Sequence, residues 1–189
     1  VKKFTKKLSL ITSIAVGLLL SLFVLINLSA SEPTIDEVKK ELNGDPYKIA
    51  QWMGRNIRTS KDSIGYSQPA KYTYKYKKGD CEDFAILARH FIGDKYETHL
   101  VVWTGKFRED SKFYKKYKAK KICHAVVAIK LHVNNWGIID QDKYIPNGRT
   151  LAAIIKINCD LRRIKVTGAY IADLYRFRNK IIKEIDLDE

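Results

Sequence analysis

The chain has 189 residues, of which 35 are Lys or Arg and 21 are Asp or Glu, giving a formal charge of +14. That length supports one domain with a real core and argues against two. Its three cysteines, Cys81, Cys123 and Cys159, include no pair two to four residues apart, which argues against a zinc-type site. An odd number also leaves at least one thiol unpaired within the chain in an oxidising compartment.

Lys2, Lys3, Lys6 and Lys7 lead into the largely apolar run Leu8 to Leu28, and the next charged residue is Glu32. A basic end followed by such a run is an export or anchoring signal, long enough to span a bilayer. Leu28-Ser29-Ala30 also offers a cleavage point, so residues 1–31 are expected to be a signal peptide or a membrane anchor, and 32–189 the catalytic domain. Either outcome puts the domain outside the cytoplasm, in a periplasm or at a cell surface. Without residues 1–31 the domain still holds 31 basic and 21 acidic residues, a charge of +10. Much of that charge lies in two tyrosine-rich stretches, Lys71 to Lys78 and Lys112 to Lys121. Basic residues interleaved with aromatics suit a polyanion. Export argues against nucleic acid and favours anionic lipid or wall polymer as that partner.

Thr34 caps a predicted helix over Ile35 to Leu42 that ends at Gly44, and Asp45-Pro46 starts a second through about Ile57. Arg58 to Lys78 reads as loop, with a short strand over Tyr72 to Tyr76. Asp80 then caps a helix in which Cys81 is the first residue and Asp83 completes a capping box. Apolar Phe84, Ala85, Ala88, Phe91 and Ile92 share one face with Cys81, and Gly93 stops the helix. Strand-like runs follow at Thr98–Trp103, Ile122–Leu131 and Trp136–Asp140. Ile154–Ile157 and Arg163–Thr167 are expected as edge strands, and Ala169–Ile185 as a closing helix.

This order places a cysteine at a helix start, a histidine (His124) on a strand and an aspartate (Asp140) at the end of the next strand. Helix-start N–H groups and a nearby imidazolium lower a thiol pKa from about 8.5 to about 3.5–7.5, so Cys81 is expected as a thiolate. Its sulfur would attack an amide carbonyl, His124 would protonate the departing amine, and Asp140 would orient the imidazole. Asp142 is the rival for that third role. The thioester product can pass to water, as in a peptidase or amidase, or to an amine, as in a transglutaminase. The Cys81 N–H is one natural oxyanion donor and Gln68 the candidate for the second, with Tyr66 or Trp52 behind it. Negative charge on Asp80 and Glu82 opposes a thiolate unless a cation offsets it. A Cys123–Cys159 bridge is compatible with the sequence, and His90, His99 and His132 have no partnering pattern.

Gly79-Asp80-Cys81-Glu82-Asp83-Phe84-Ala85, Cys123-His124-Ala125-Val126-Val127 and Gly137-Ile138-Ile139-Asp140 together resemble the transglutaminase-like superfamily, and within it the bacterial transglutaminase-like cysteine peptidases. The resemblance covers about Ile49 to Asp142. Tyr66-Ser67-Gln68-Pro69 is similar to the aromatic-Trp-Gln-x-Pro stretch of those peptidases, with Ser67 where the tryptophan stands. The resemblance implies an α+β, papain-like fold with the cysteine helix packed on an antiparallel sheet. It also implies extracytoplasmic cleavage of surface or envelope proteins by Cys81, His124 and Asp140, with a protein or peptide as substrate. The triad itself requires no cofactor, while the resemblance adds calcium held by Asp80 and Glu82. The reading from a different class is a catalytically inactive basic module that binds membrane or wall polyanions. Its affinity would fall steeply with salt.

Overall fold

The computed structural model describes residues 32–60, 67–112, 114, 121–173 and 180–188. The expected signal or anchor segment, Tyr66 and most of the second lysine-tyrosine stretch lie outside these residues. Among the described residues no helix is long and apolar enough to cross a membrane. Ile35–Glu189 makes one compact unit, with an α+β fold.

The described elements begin with helices α1 (Ile35–Leu42) and α2 (Pro46–Asn56). The Asp45 carboxylate accepts from the N–H groups of Tyr47 and Lys48, and Pro46 occupies the first turn, where its missing N–H costs nothing. Strand β1 (Arg58–Thr59) follows, and pairs in parallel with β2 (Lys78–Gly79). Between them lies helix α3 (Ala70–Tyr76), where the alternating Tyr72-Thr73-Tyr74 pattern favours a strand. The helical spacing stacks Tyr72 on Tyr76 at 6.1 Å and buries Thr73 and Tyr74, so contacts four residues apart override the period of two. Both stacked tyrosines are exposed, with Lys71 over one ring and Lys75 over the other.

Helix α4 (Cys81–Ile92) then packs on a six-stranded sheet made of β3 (Glu97–Phe107), β4 (Ile122–His132), β5 (Asn135–Asp140), β6 (Lys143–Gly148), β7 (Ile164–Asp173) and β8 (Lys180–Glu184). The spatial order is β6-β5-β4-β3-β7-β8, and every neighbouring pair is antiparallel. One face of this sheet, with Leu100, Val102, Ala125, Val127 and Ile139, is covered by α1, α2 and α4. The other, with Val101, Trp103, Val126, Ala128 and Ile138, is covered by α5 (Leu151–Leu161) through Ile154, Ile155 and Cys159. Cover on both faces is why the apolar runs of β3 and β4 are continuous instead of alternating.

Three expectations are corrected here, among them Arg163–Thr167 as an edge strand, since β7 lies between β3 and β8. Ile154–Ile157 belongs to helix α5, because Thr150 caps the segment and its isoleucines pack against the sheet face that would otherwise meet water. The described parts of Ala169–Ile185 are strand, in β7 and β8. A register shift between Thr104 and Gly105, opposite Val166 and Gly168, breaks the period in β7: Ile164 and Ala169 share one core although they are five residues apart. Lys143–Gly148, which carries no strand-like run, pairs with β5 as an edge strand.

Candidate active site

The Gly79–Ala85 motif folds as its local chemistry dictates. Asp80 takes the N–H groups of Glu82 and Asp83, and the Asp83 carboxylate reaches back to the Asp80 N–H, completing the capping box. Asp83 is fully buried and also accepts from the backbone N–H of Gln68 at 2.6 Å and from its side-chain amide at 2.9 Å. Ser67 donates to Glu82 at 2.9 Å, so the Ser67-Gln68-Pro69 stretch is docked on the acids that follow Cys81. Gly79 is required by this arrangement: a Cβ there would sit 2.6 Å from the Asp83 Cβ. Asp83 is the functional position that sequence spacing leaves as a cap alone, since nothing local announces that Gln68 will fold onto it.

Gln68 therefore has one amide hydrogen committed to Asp83, which leaves one for another acceptor. Trp52 does not stand behind it. Its ring is built into the core, stacked on Tyr74 at 5.7 Å and edge-on to Phe91 at 5.2 Å, and Phe91 lies about 15 Å along the helix from the position of Cys81.

On the strands, His124 and Asp140 are both buried, and the imidazole Nε2 lies 2.7 Å from Asp140 Oδ1. That contact assigns Asp140 the acidic partner's place over Asp142. With Nε2 occupied by the carboxylate, Nδ1 is the ring nitrogen left for a substrate or a thiol. Burial works against the Asp140 carboxylate, but His124 and Arg162 outweigh it and hold the group well below the usual carboxylate range.

Cys81 approaches the same strand from the other side. It packs with the core that holds Ala125 and Val127, whereas the His124 ring lies 5.1 Å from Trp103, in the opposite core. Among the described residues no hydrogen bond or ion pair joins Cys81 to His124. β5 begins its pairing with β4 at Val127, so residues 122–126 pair with β3 only, and the backbone amide of Ala125 acts on the Cys81 sulfur at this edge.

The expected thiolate is corrected. Burial, reinforced by the charges of Asp80 and Glu82, pushes the Cys81 thiol up to about 11, with the Ala125 amide acting in the opposite sense. The helix start does not rescue it, because the Asp80 carboxylate already occupies the N–H groups of Glu82 and Asp83 that would otherwise stabilise a negative sulfur. In the resting chain Cys81 is a neutral thiol.

The other cysteines stay apart. All three are free; Cys123 is exposed on the α4 side of β4 and Cys159 is buried under the opposite face, so the sheet itself separates the two sulfurs of the candidate bridge. The calcium expectation fares no better on the residues present. Asp80 is spent on the helix start and Glu82 on Ser67, and among the described residues no group of three His, Cys, Asp or Glu is arranged to hold a metal ion. His99 pairs with Glu97 and stacks on Trp136, a structural role.

What the arrangement offers is a thiol at a helix start, a buried imidazole–carboxylate pair one residue from the amide that touches the thiol, and the Cys81 N–H that the Asp80 cap does not take. No protein-family model matches the chain, and no curated protein matches its sequence.

Proposed function

We propose that this chain is an extracytoplasmic cysteine peptidase of the transglutaminase-like kind, with a papain-like core and Cys81, His124 and Asp140 as its triad. The observation that carries the reading is the buried 2.7 Å contact between His124 and Asp140, set on the strand edge against which Cys81 rests. A carboxylate and an imidazole seldom share a dry site without a task for the imidazole.

Because the thiol is neutral at rest, His124 acts first as base. The reading requires Nδ1 and the Cys81 sulfur, which lie on opposite sides of β4 in this structure, to meet: Nδ1 then takes the thiol proton as the sulfur attacks the amide carbonyl, and the Asp140 carboxylate stabilises the imidazolium that forms. The oxyanion is held by the Cys81 N–H, which the Asp80 cap leaves aside, and by the second amide hydrogen of Gln68. Collapse of the tetrahedral intermediate breaks the C–N bond, and the imidazolium proton leaves on the amine. Water, deprotonated by His124, then cleaves the thioester and restores the thiol. A primary amine in place of that water gives transamidation by the same steps.

A second reading is favoured by one observation. The exposed Tyr72 and Tyr76 rings with Lys71 and Lys75 beside them form a basic aromatic face on α3, suited to an anionic lipid or wall polymer whether or not Cys81 reacts. Incubating the chain with an envelope-protein extract and a fluorescent primary amine separates the cases. New fragment termini mark hydrolysis and fluorescent protein marks transamidation, in both cases lost with Cys81→Ala. Identical patterns from the wild type and Cys81→Ala overturn the enzyme reading and leave the binding module.

A further inference from the structure

Asp140 is held by more than His124. Its Oδ1 accepts from His124 Nε2 at 2.7 Å and from Arg162 Nη2 at 2.5 Å, while its Oδ2 accepts from Arg162 Nε at 2.6 Å and Asn158 Nδ2 at 2.8 Å. Asn158 Oδ1 accepts in turn from Trp103 Nε1 at 3.0 Å, and the Trp103 ring lies against His124. Strands β3, β4 and β5 and helix α5 thus close a ring of side chains, and Asn158 and Trp103 have no exposed surface. Arg162, at the end of α5, grips the carboxylate through two of its nitrogens, a geometry that fixes the plane of the acceptor as well as its position.

We infer that Arg162 and Asn158 are positioning residues for the triad: together they lock the Asp140 carboxylate in the orientation that receives His124, and Arg162 shares its charge. Each part has a separate consequence. Locking holds the His124 ring through its Nε2 and leaves Nδ1 clear of the carboxylate. Charge sharing weakens the field that Asp140 exerts on the imidazolium that forms during attack. The other titratable groups packed around the pair do not compete. Burial pushes the Cys159 thiol up to about 12, so it is neutral, and Asp160 is exposed and paired with Arg108.

The inference rests on the acyl-transfer reading for its kinetic consequence, and the experiment separates the two. Arg162→Gln removes the shared charge, and the acid limb of its kcat/KM profile is expected to move up. Arg162→Lys keeps the charge and loses the fork; its acid limb should stay in place while kcat falls, by roughly tenfold. An unmoved acid limb in folded Arg162→Gln overturns the charge sharing. Should that variant not fold, wild-type kcat in Arg162→Lys overturns the positioning. If the wild-type chain turns over no substrate, the acyl-transfer reading fails alone, and NMR titration of the Asp140 carboxyl decides the clamp without turnover. A midpoint that rises in Arg162→Gln supports it, and one that does not move sinks it.

Discussion

The resting state of Cys81 is the property on which the chemistry turns, and alkylation rate against pH measures it directly. With its thiol at about 11, roughly one Cys81 in a thousand is a thiolate at pH 8. An ordinary cysteine, near 8.5, has about a quarter of its thiol ionised there, a difference of about 200-fold. The rarer thiolate is also the more basic, and a Brønsted slope of about 0.4–0.5 over the gap returns roughly tenfold in intrinsic nucleophilicity. Cys81 should therefore react with iodoacetamide about 20-fold more slowly than a cysteine peptide in the same tube, with a rate that keeps climbing past pH 10. Peptide-resolved mass spectrometry follows Cys81 apart from exposed Cys123. A rate that levels off below pH 8, or labelling faster than the reference peptide at pH 7, would show a thiolate at rest and refute the argument that burial, Asp80 and Glu82 outweigh the helix start.

Two further substitutions test the scaffold that holds the site. Gly79→Ala places a Cβ 2.6 Å from Asp83 and should push that carboxylate off Gln68, costing about 1–3 kcal/mol of stability; an unchanged denaturation midpoint would show that Asp83 moves freely. Asp140→Asn leaves Arg162 without its carboxylate, and since the Arg162 side chain is 34 % exposed the cost should be about 2–3 kcal/mol at pH 7. Asp140 is depressed in the folded state, so its contribution is complete above the unfolded carboxylate value of about 4 and fades as pH falls through the folded one. The stability gap between wild type and Asp140→Asn should accordingly narrow below about pH 4, and a gap constant from pH 7 to pH 3 would contradict the assignment.

The elements legible in the sequence are those whose signals are local. Asp45-Pro46, and Asp80 with Asp83, carry both the caps and the boundaries of α2 and α4 within four residues, and the structure places those helix starts where the caps put them. Elements decided by distant partners are misjudged. Leu151–Leu161 is rich in isoleucine, a strand former, and becomes helix because the second sheet face must be covered. The clue was present in β3 and β4. Leu100-Val101-Val102-Trp103 and Ala125 to Ile129 do not alternate, and a sheet with one wet face would alternate. An apolar segment outside α1, α2 and α4 had to supply the second cover, and Thr150 three residues before Ala153 marks where it starts.

That same misreading hides half of the candidate site. His124 and Asp140 can be paired from spacing alone, because each sits on a recognisable strand and one short turn joins those strands. Asn158 and Arg162 share a face because helix α5 runs on from Leu151 through Leu161; read as loop after a strand ending at Ile157, they have no reason to meet Asp140. The charge state of Cys81 fails for a related reason. A helix start favours a thiolate only while its N–H groups are available, and in Gly79-Asp80-Cys81-Glu82-Asp83 the residue that makes the helix start well defined is the one that consumes them. The acids that build the nucleophile's helix thus set its resting state against reaction. In the proposed mechanism the imidazole on the far side of the strand edge must overcome that, so the orientation of its carboxylate, gripped by Arg162, bears directly on the proposed attack.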